Sequence, residues 1–251
     1  MSGGAGVSTG RLFVVATPIG NLGDITLRAV QTLRAADAIA SEDTRTVQKL
    51  LSHLGISKQR IAYHEHNEEA AARRILRRIQ AGENIALVSD AGTPVVSDPG
   101  YRLVASCAAA GIEVVAVPGP CAAVAALSIS GLSPASFRFV GFLPRRTAAR
   151  RRALEELATE EATLIFYVSP HRASAALADM RDVFGDRGAV LAREMTKLHE
   201  ETVRGNVAEL AAAAADGLRG EIVVVVEGAR AASKRRRTGD GPAGEPGNLL
   251  P

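Results

Sequence analysis

Asn84-Ile-Ala-Leu-Val-Ser-Asp-Ala-Gly-Thr-Pro-Val-Val-Ser-Asp-Pro-Gly100 joins a strand pattern to a loop dense in special residues. Asn84 to Val88 is a short apolar run of the kind that forms a buried strand. Beyond the loop, Tyr101-Arg-Leu-Val-Ala-Ser-Cys-Ala-Ala-Ala110 is rich in helix formers and is closed by Gly111. The stretch therefore reads as a loop at the carboxyl end of a strand, feeding a helix, the place where open α/β sheets bind ligands. Gly92 and Gly100 allow backbone conformations closed to other residues, while Pro94 and Pro99 stiffen the chain. Ser97 or Asp98 would cap the helix, with Pro99 as its first residue. Capping accounts for Ser97 to Gly100 and leaves Ser89, Asp90 and Thr93 to be explained by ligand binding.

Upstream, the same alternation of strand and helix repeats. Arg11 to Ala16 reads as a strand, followed by the loop Thr17-Pro-Ile-Gly-Asn-Leu-Gly-Asp24 and an amphipathic helix over 26–35. In that loop Asp24 would cap the helix. Asp37 to Ser41 is a second strand, with a helix from Glu42 to Leu54. Ile61 to Tyr63 is a third, followed by a basic helix to Gly82. Downstream of the central loop, Ile112 to Val117 is a fifth strand, broken by Pro118-Gly-Pro120. The order β-α-β-α-β-α-β-α-β predicts a parallel sheet with covering helices. Three Gly/Pro loops, 17–24, 89–100 and 118–122, open on one edge of that sheet and form one crevice for a small molecule.

The second half differs in order. Ala122 to Ile129 is a small-residue helix at the crossover between domains. Strands are expected at 137–143, 163–168, 189–193, 201–204 and 222–226, with helices at 145–157, 170–184 and 207–215. Short strands with adjacent returns imply a mixed sheet. The organisation expected is two α/β domains, 11–118 and 119–229, between a loose tail at 1–10 and a disordered basic tail at 230–251.

With 251 residues, 47% of them apolar, the chain has ample material for a core. Its net charge of +3 is a property of the tail. Arg230, Lys234, Arg235, Arg236 and Arg237 against Asp240 and Glu245 leave 25 basic and 25 acidic side chains over residues 1–229. The charge balance thus gives no sign of a nucleic-acid-binding core. Two cysteines, no signal peptide and no apolar run of the ~18 residues that span a bilayer point to the cytoplasm and to no membrane.

Several chemistries drop out. The first loop lacks G-x-G-x-x-G, and no Walker A motif occurs, which disfavours nicotinamide and P-loop functions. His64 and His66 have no third ligand at sensible spacing, so no metal site is expected. Arg145, Arg146, Arg150, Arg151 and Arg152 crowd one helix start, where positive charge opposes the helix dipole. A second cluster stands at Arg73, Arg74, Arg77 and Arg78. Both fit either a solvated face or contact with phosphates.

Pooled, these loops are familiar. The chain resembles the tetrapyrrole methylase superfamily, within it the branch that methylates a ribose 2′-hydroxyl of small-subunit ribosomal RNA. The resemblance covers about residues 11–229. It rests on Ala16-Thr-Pro-Ile-Gly-Asn-Leu-Gly-Asp-Ile-Thr26, Glu42-Asp-Thr-Arg45, His64-Glu-His-Asn67, Ser89 to Gly100, Val117-Pro-Gly-Pro120, Ser169-Pro-His-Arg172 and Arg193-Glu-Met-Thr-Lys197. Members that modify porphyrins carry a Gly-x-Gly-x-Gly-Asp first loop instead. The resemblance implies S-adenosylmethionine in the cleft between two α/β domains. It also implies binding positions at Pro18, Ile19, Ser89, Asp90, Thr93, Cys121, Ala122, Val168 and Met195. It implies a homodimer as well, and 16S rRNA of the 30S subunit as substrate, at the cytidine conventionally numbered 1402.

Such a transfer needs donor and acceptor held in line and somewhere for the hydroxyl proton to go. Glu42, Asp43 and Lys197 are candidates for that role, with helix capping and plain surface charge as the alternatives. Arg45 and the arginines at 145, 146 and 150–152 are the candidates for RNA contact. C-methylation of a tetrapyrrole and a non-catalytic role in ribosome assembly are the competing functions. The first would require a wide apolar cleft, the second no affinity for the methyl donor.

Overall fold

The computed structural model describes residues 9–229, so the expected basic tail lies outside the described residues, as does most of the N-terminal one. The chain divides into two compact units. Among the described residues, one holds 9–125 and Glu194–His199, and the other 126–193 and 200–229. The expected boundary at 118/119 thus moves into a helix, and the segment carrying Met195 goes with the first unit.

The first unit contains β1 (Leu12–Val15), α1 (Leu27–Ala35), β2 (Ala38–Ser41), α2 (Thr44–His53), β3 (Gln59–Ala62), α3 (Glu68–Gln80), β4 (Ile85–Val88), α4 (Tyr101–Ala109) and β5 (Val114–Val117). The boundary between units falls within α5 (Ala122–Ser130). Its sheet has the order β3-β2-β4-β1-β5. Every pairing in it is parallel. β2 and β4 are buried at all four positions, the result of helices on both faces, which explains their unbroken apolar runs. One face packs Leu12, Ile61, Ile75 and Leu87, the other Val15, Leu33, Ile39 and Val88. Such alternation follows from the two-residue period of a strand.

Two capping expectations are corrected. Asp24 ends a 3₁₀ turn at Leu22–Asp24, and α1 is capped by Thr26, whose hydroxyl accepts from the Ala29 amide at 3.0 Å. Gly100, at φ 141°, caps α4 in place of Ser97 or Asp98. A Cβ on Gly100 would stand 2.9 Å from Leu87 Cδ2 and Val95 Cγ2, so glycine is required by space as well as by conformation. The orphan amides of α4 are served from elsewhere. Gly100 N donates to Glu68 Oε1 (3.2 Å), and Leu103 N donates to the Tyr63 hydroxyl (3.2 Å), which itself donates to Glu68 Oε1 (2.9 Å). Tyr63 is 1% exposed, and burial together with Glu68 pushes its phenol well above the ordinary range. Tyr63→Phe strips two bonds from this buried network and should cost about 1–3 kcal/mol. Thermal melting a few degrees below wild type is the expected reading; an unchanged midpoint would count against the network.

The second unit contains β6 (Phe137–Phe142), α6 (Thr147–Glu155), β7 (Thr163–Val168), α7 (Ala173–Phe184), β8 (Gly188–Arg193), β9 (Glu201–Asn206), α8 (Val207–Ala213) and β10 (Ile222–Val226). Its sheet is mixed, in the order β6-β7-β10-β8-β9. Among the described residues, β6–β7 pairs parallel and the other three pairs are antiparallel. Phe166, Leu177, Met180, Leu191 and Val224 lie in its core. α6 starts at Thr147, later than expected, and leaves Arg145 ahead of the helix with Arg146 at its N-cap. No helix among the described residues is long and apolar enough to cross a membrane.

Candidate functional site

The carboxyl ends of β4, β1 and β5 are adjacent in one parallel sheet, so their loops meet. Thr17 and Gly92 exchange backbone hydrogen bonds at 2.9 and 3.1 Å, which ties the first loop to the central one. The Thr17 hydroxyl donates to Ser89 O (3.1 Å), and the Thr93 hydroxyl donates to Pro120 O (3.1 Å), fastening the third loop. Gly92 sits at φ 86°, and a Cβ there would meet Ile19 Cγ2 at 3.4 Å. A Cβ on Gly119 would lie 2.9 Å from Ala16 Cβ, so the loops close on each other through glycine. These bonds tie the three Gly/Pro loops into one cross-linked platform.

Pro18, Ile19, Ser89, Asp90, Thr93, Cys121 and Ala122 all belong to this platform. Pro18, Ile19 and Ser89 are buried, Asp90 is exposed, and Cys121 and Ala122 open α5. Glu194–His199 joins the same unit: Gly20 lies against it so closely that a Cβ would fall 2.5 Å from Lys197 Cγ. That brings buried Met195 to the first unit, where sequence reading had assigned it to the second domain. Val168 closes β7 and lies in the core of the second unit.

Backbone strain gathers on these segments. Val95 (φ 75°), Ser97 (φ 64°), Glu194 (φ 51°) and Thr196 (φ 68°) are the described non-glycine residues at positive φ. For β-branched Val95 and Thr196 this costs on the order of 1–3 kcal/mol each, a cost typical of ligand clamps.

Beside the platform, the ends of β2 and β4 carry a group of carboxylates. Asp43 N donates to Asp90 Oδ1 at 3.2 Å, while the Asp43 carboxylate caps α2 by accepting from Arg45 N at 2.7 Å. Burial first, then the neighbouring Asp90 charge, raises the Glu42 pKa, with His64 acting in the opposite direction. Asp90, although exposed as a residue, is raised too by the partial desolvation of its carboxylate, against the hydrogen bond from Asp43 N. Asp98, which the sequence had marked only as a possible cap, is pushed up to about 6 by burial and by Glu42, against a hydrogen bond with Ser89. The buried Ser41 Oγ and His64 Nδ1 have no hydrogen-bond partner among the described residues. No metal-holding cluster of His, Cys, Asp and Glu occurs among the described residues. Lys197 Nζ is paired with Glu194 Oε1 at 2.8 Å.

The arginines separate sharply. Arg45, Arg145, Arg146 and Arg152 are exposed. Arg150 is 5% exposed, and its guanidinium bonds Asp179 Oδ2 at 2.7 Å. Arg151 pairs with Asp179 and Asp182, each at 3.1 Å. The expectation of an RNA-facing Arg150 is therefore corrected: α7 supplies the carboxylates that balance positive charge at the start of α6.

The profile described as Tetrapyrrole (Corrin/Porphyrin) Methylases matches residues 11–211. The chain belongs to the tetrapyrrole methylase family. Among similar members is "Ribosomal RNA small subunit methyltransferase I" of Pseudomonas aeruginosa, 52% identical over 226 residues, which are 88% of this chain and 80% of that protein. The protein of the same name from Halalkalibacterium halodurans is 50% identical over 220 residues, 87% of this chain and 76% of the other. Among solved tetrapyrrole methylase structures, a cobalt precorrin-4 methyltransferase aligns with a TM-score of 0.65 at 17% identity, over 86% of this chain and 94% of that one. Uroporphyrin-III C-methyl transferase from Thermus thermophilus, complexed with S-adenyl homocysteine, aligns with a TM-score of 0.61 at 19% identity over 89% of this chain and 100% of its own. At these identities the structural likeness speaks for the fold.

Proposed function

We propose that this tetrapyrrole methylase family member is an S-adenosylmethionine-dependent methyltransferase of 16S rRNA in the small ribosomal subunit, acting on the 2′-hydroxyl of a cytidine. What carries the reading is about 50% identity, over nearly nine-tenths of the chain, to proteins named ribosomal RNA small subunit methyltransferase I. The uroporphyrin enzymes align at about 20% identity, which leaves tetrapyrrole methylation without comparable support.

The residues fit the methyl donor. Glycines 92 and 119 let backbone approach a ligand closely, and Asp90 is exposed to accept a donor's hydrogen bonds. Pro18, Ile19 and Met195 supply apolar surface. S-adenosylmethionine supplies a methyl carbon already joined to a good leaving group. The protein's own tasks are then alignment and removal of one proton. The proton released by the ribose hydroxyl would pass to a carboxylate of this chain. Glu42 and Asp98 suit that acceptance because burial makes both more basic than an ordinary carboxylate. Asp43 is spent on capping α2 and Lys197 on Glu194, so both fall behind them. Arg45, Arg145, Arg146 and Arg152 are the exposed arginines available to RNA phosphates.

The reading includes a homodimer, in which a second copy covers Phe137 and Phe142, exposed by 46% and 60% on edge strand β6. Sedimentation as a monomer at micromolar concentration would reject it. The function is tested by incubating the purified protein and labelled S-adenosylmethionine with 30S particles from a strain lacking the activity. Label in 16S rRNA that survives alkaline hydrolysis as a dinucleotide is the expected result, because a methylated 2′-oxygen cannot cleave its own phosphodiester. Label appearing instead on a porphyrinogen would overturn the reading.

A further inference from the structure

A separate cavity of about 740 Å³ opens in the second unit, within the range of small-molecule sites. It lies where β8 and β9 pass Gly188 and Asn206 and β10 runs out at Glu227. Val168 and Arg193 pair with Ile222 at the other end of the same strands, roughly 13 Å away at the rise of a strand. Asp186, Glu209 and Glu227 line the cavity, against one cation, Arg204.

Glu227 is the unusual member. It is 8% exposed, and although its backbone amide donates to Gly188 O at 2.8 Å, its carboxylate meets no donor or cation among the described residues. The nearby cations bond elsewhere, although Arg187 Nη1 has no hydrogen-bond partner among the described residues. Arg204 Nη2 donates to Ile129 O at 2.6 Å, while the Arg187 guanidinium lies 4.9 Å from the Phe184 ring centroid and donates to Ala158 O. Glu209 closes the capping box of α8 by accepting from Asn206 N at 2.9 Å. A carboxylate buried without a partner is costly, and a bound cation removes that cost.

No group of three or more His, Cys, Asp and Glu side chains that could hold a metal ion occurs among the described residues, so an organic cation suits the cavity better. Leu132, Ala189 and Val190 provide apolar wall between the charges. Separate ammonium groups joined by methylenes match that spacing of charge and apolar surface. We propose that the cavity binds a polyamine, with Glu227 as the buried anchor and Asp186 as a second carboxylate nearer the mouth.

Calorimetry of the nuclease-treated full-length protein with spermidine, at constant ionic strength, tests this. One site per chain is expected, weakened at least tenfold in Glu227→Gln and several-fold in Asp186→Asn, with magnesium failing to displace the amine. Glu227→Gln is isosteric and removes a lone buried charge, so its melting point without ligand should match or exceed wild type. Should that variant not fold, exposed Asp186→Asn still decides the matter. No spermidine binding by the wild type, undiminished binding by both variants, or equal displacement by magnesium would each overturn the proposal.

Discussion

Asp179→Ala should destabilise the second unit by about 3–5 kcal/mol, because it leaves the Arg150 guanidinium buried with no counter-charge. Arg150 and Asp179 side chains are 6% and 8% exposed, and two nitrogens of the guanidinium reach Asp179 Oδ2 at 2.7 Å. Arg151, at 42% side-chain exposure, keeps Asp182 and contributes little to the loss. At a few degrees per kcal/mol for a unit of this size, the melting midpoint should fall by about 10 °C. Replacing the pair together, as Arg150→Met with Asp179→Leu, should recover most of it, since an apolar pair of similar volume carries no desolvation penalty. A single mutant melting within a degree or two of wild type would mean that the pair is replaceable by solvent. The consequence for RNA is direct. Reversing Arg150 to Glu would set two carboxylates together in the interior, so lost methylation could not be told from lost folding. Arg145, Arg146 and Arg152 are exposed and free of that ambiguity.

The contrast between Arg150 and its neighbours marks what the amino-acid order can reveal. Clustered arginines looked alike because their partners lie 28 to 31 positions away on α7, a distance that only packing of α6 on α7 closes. The parallel sheet, by comparison, was legible, since Ile85 to Val88 and Ala38 to Ser41 are apolar at every position and each precedes a helix pattern. Loop chemistry was legible too: glycine and proline at 92–94 and 118–120 mark tight loops that the structure ties together. Caps were misread where a long-range partner replaced the local one, as Glu68 and Tyr63 do for α4. Met195 was assigned to the wrong unit for a related reason, because the chain crosses back for six residues without any break in composition. Asp98 escaped notice as a titrating group because a residue that looks like a cap discloses nothing about its burial.

Asp98→Asn should lower methyl transfer by about 10²–10⁴-fold, the usual worth of a positioned proton acceptor, and should leave the protein more stable at neutral pH. The second half of that expectation follows from linkage. Burial and the Glu42 charge raise the folded-state pKa of Asp98 from the ordinary 3.8 to about 6. The folded chain therefore holds this proton more tightly than the unfolded chain does, and stability declines as pH rises between those two values. Above pH 6 the folded state carries the full penalty of a half-buried negative charge, and asparagine removes it. Wild-type activity should fall as pH drops through about 6, because a protonated Asp98 can no longer accept the ribose proton. Glu42→Gln should act in the same direction and also relieve Asp98, shifting the remaining acid limb of the pH–rate profile downward. Combined, the two substitutions should cost less than the product of their separate effects, since each carboxylate tunes the other. A merely structural Asp98 would give the opposite pattern, with a lowered melting point, retained turnover and an unmoved acid limb. Melting curves at pH 5 and 8, taken alongside a pH–rate profile on 30S particles, separate the two outcomes.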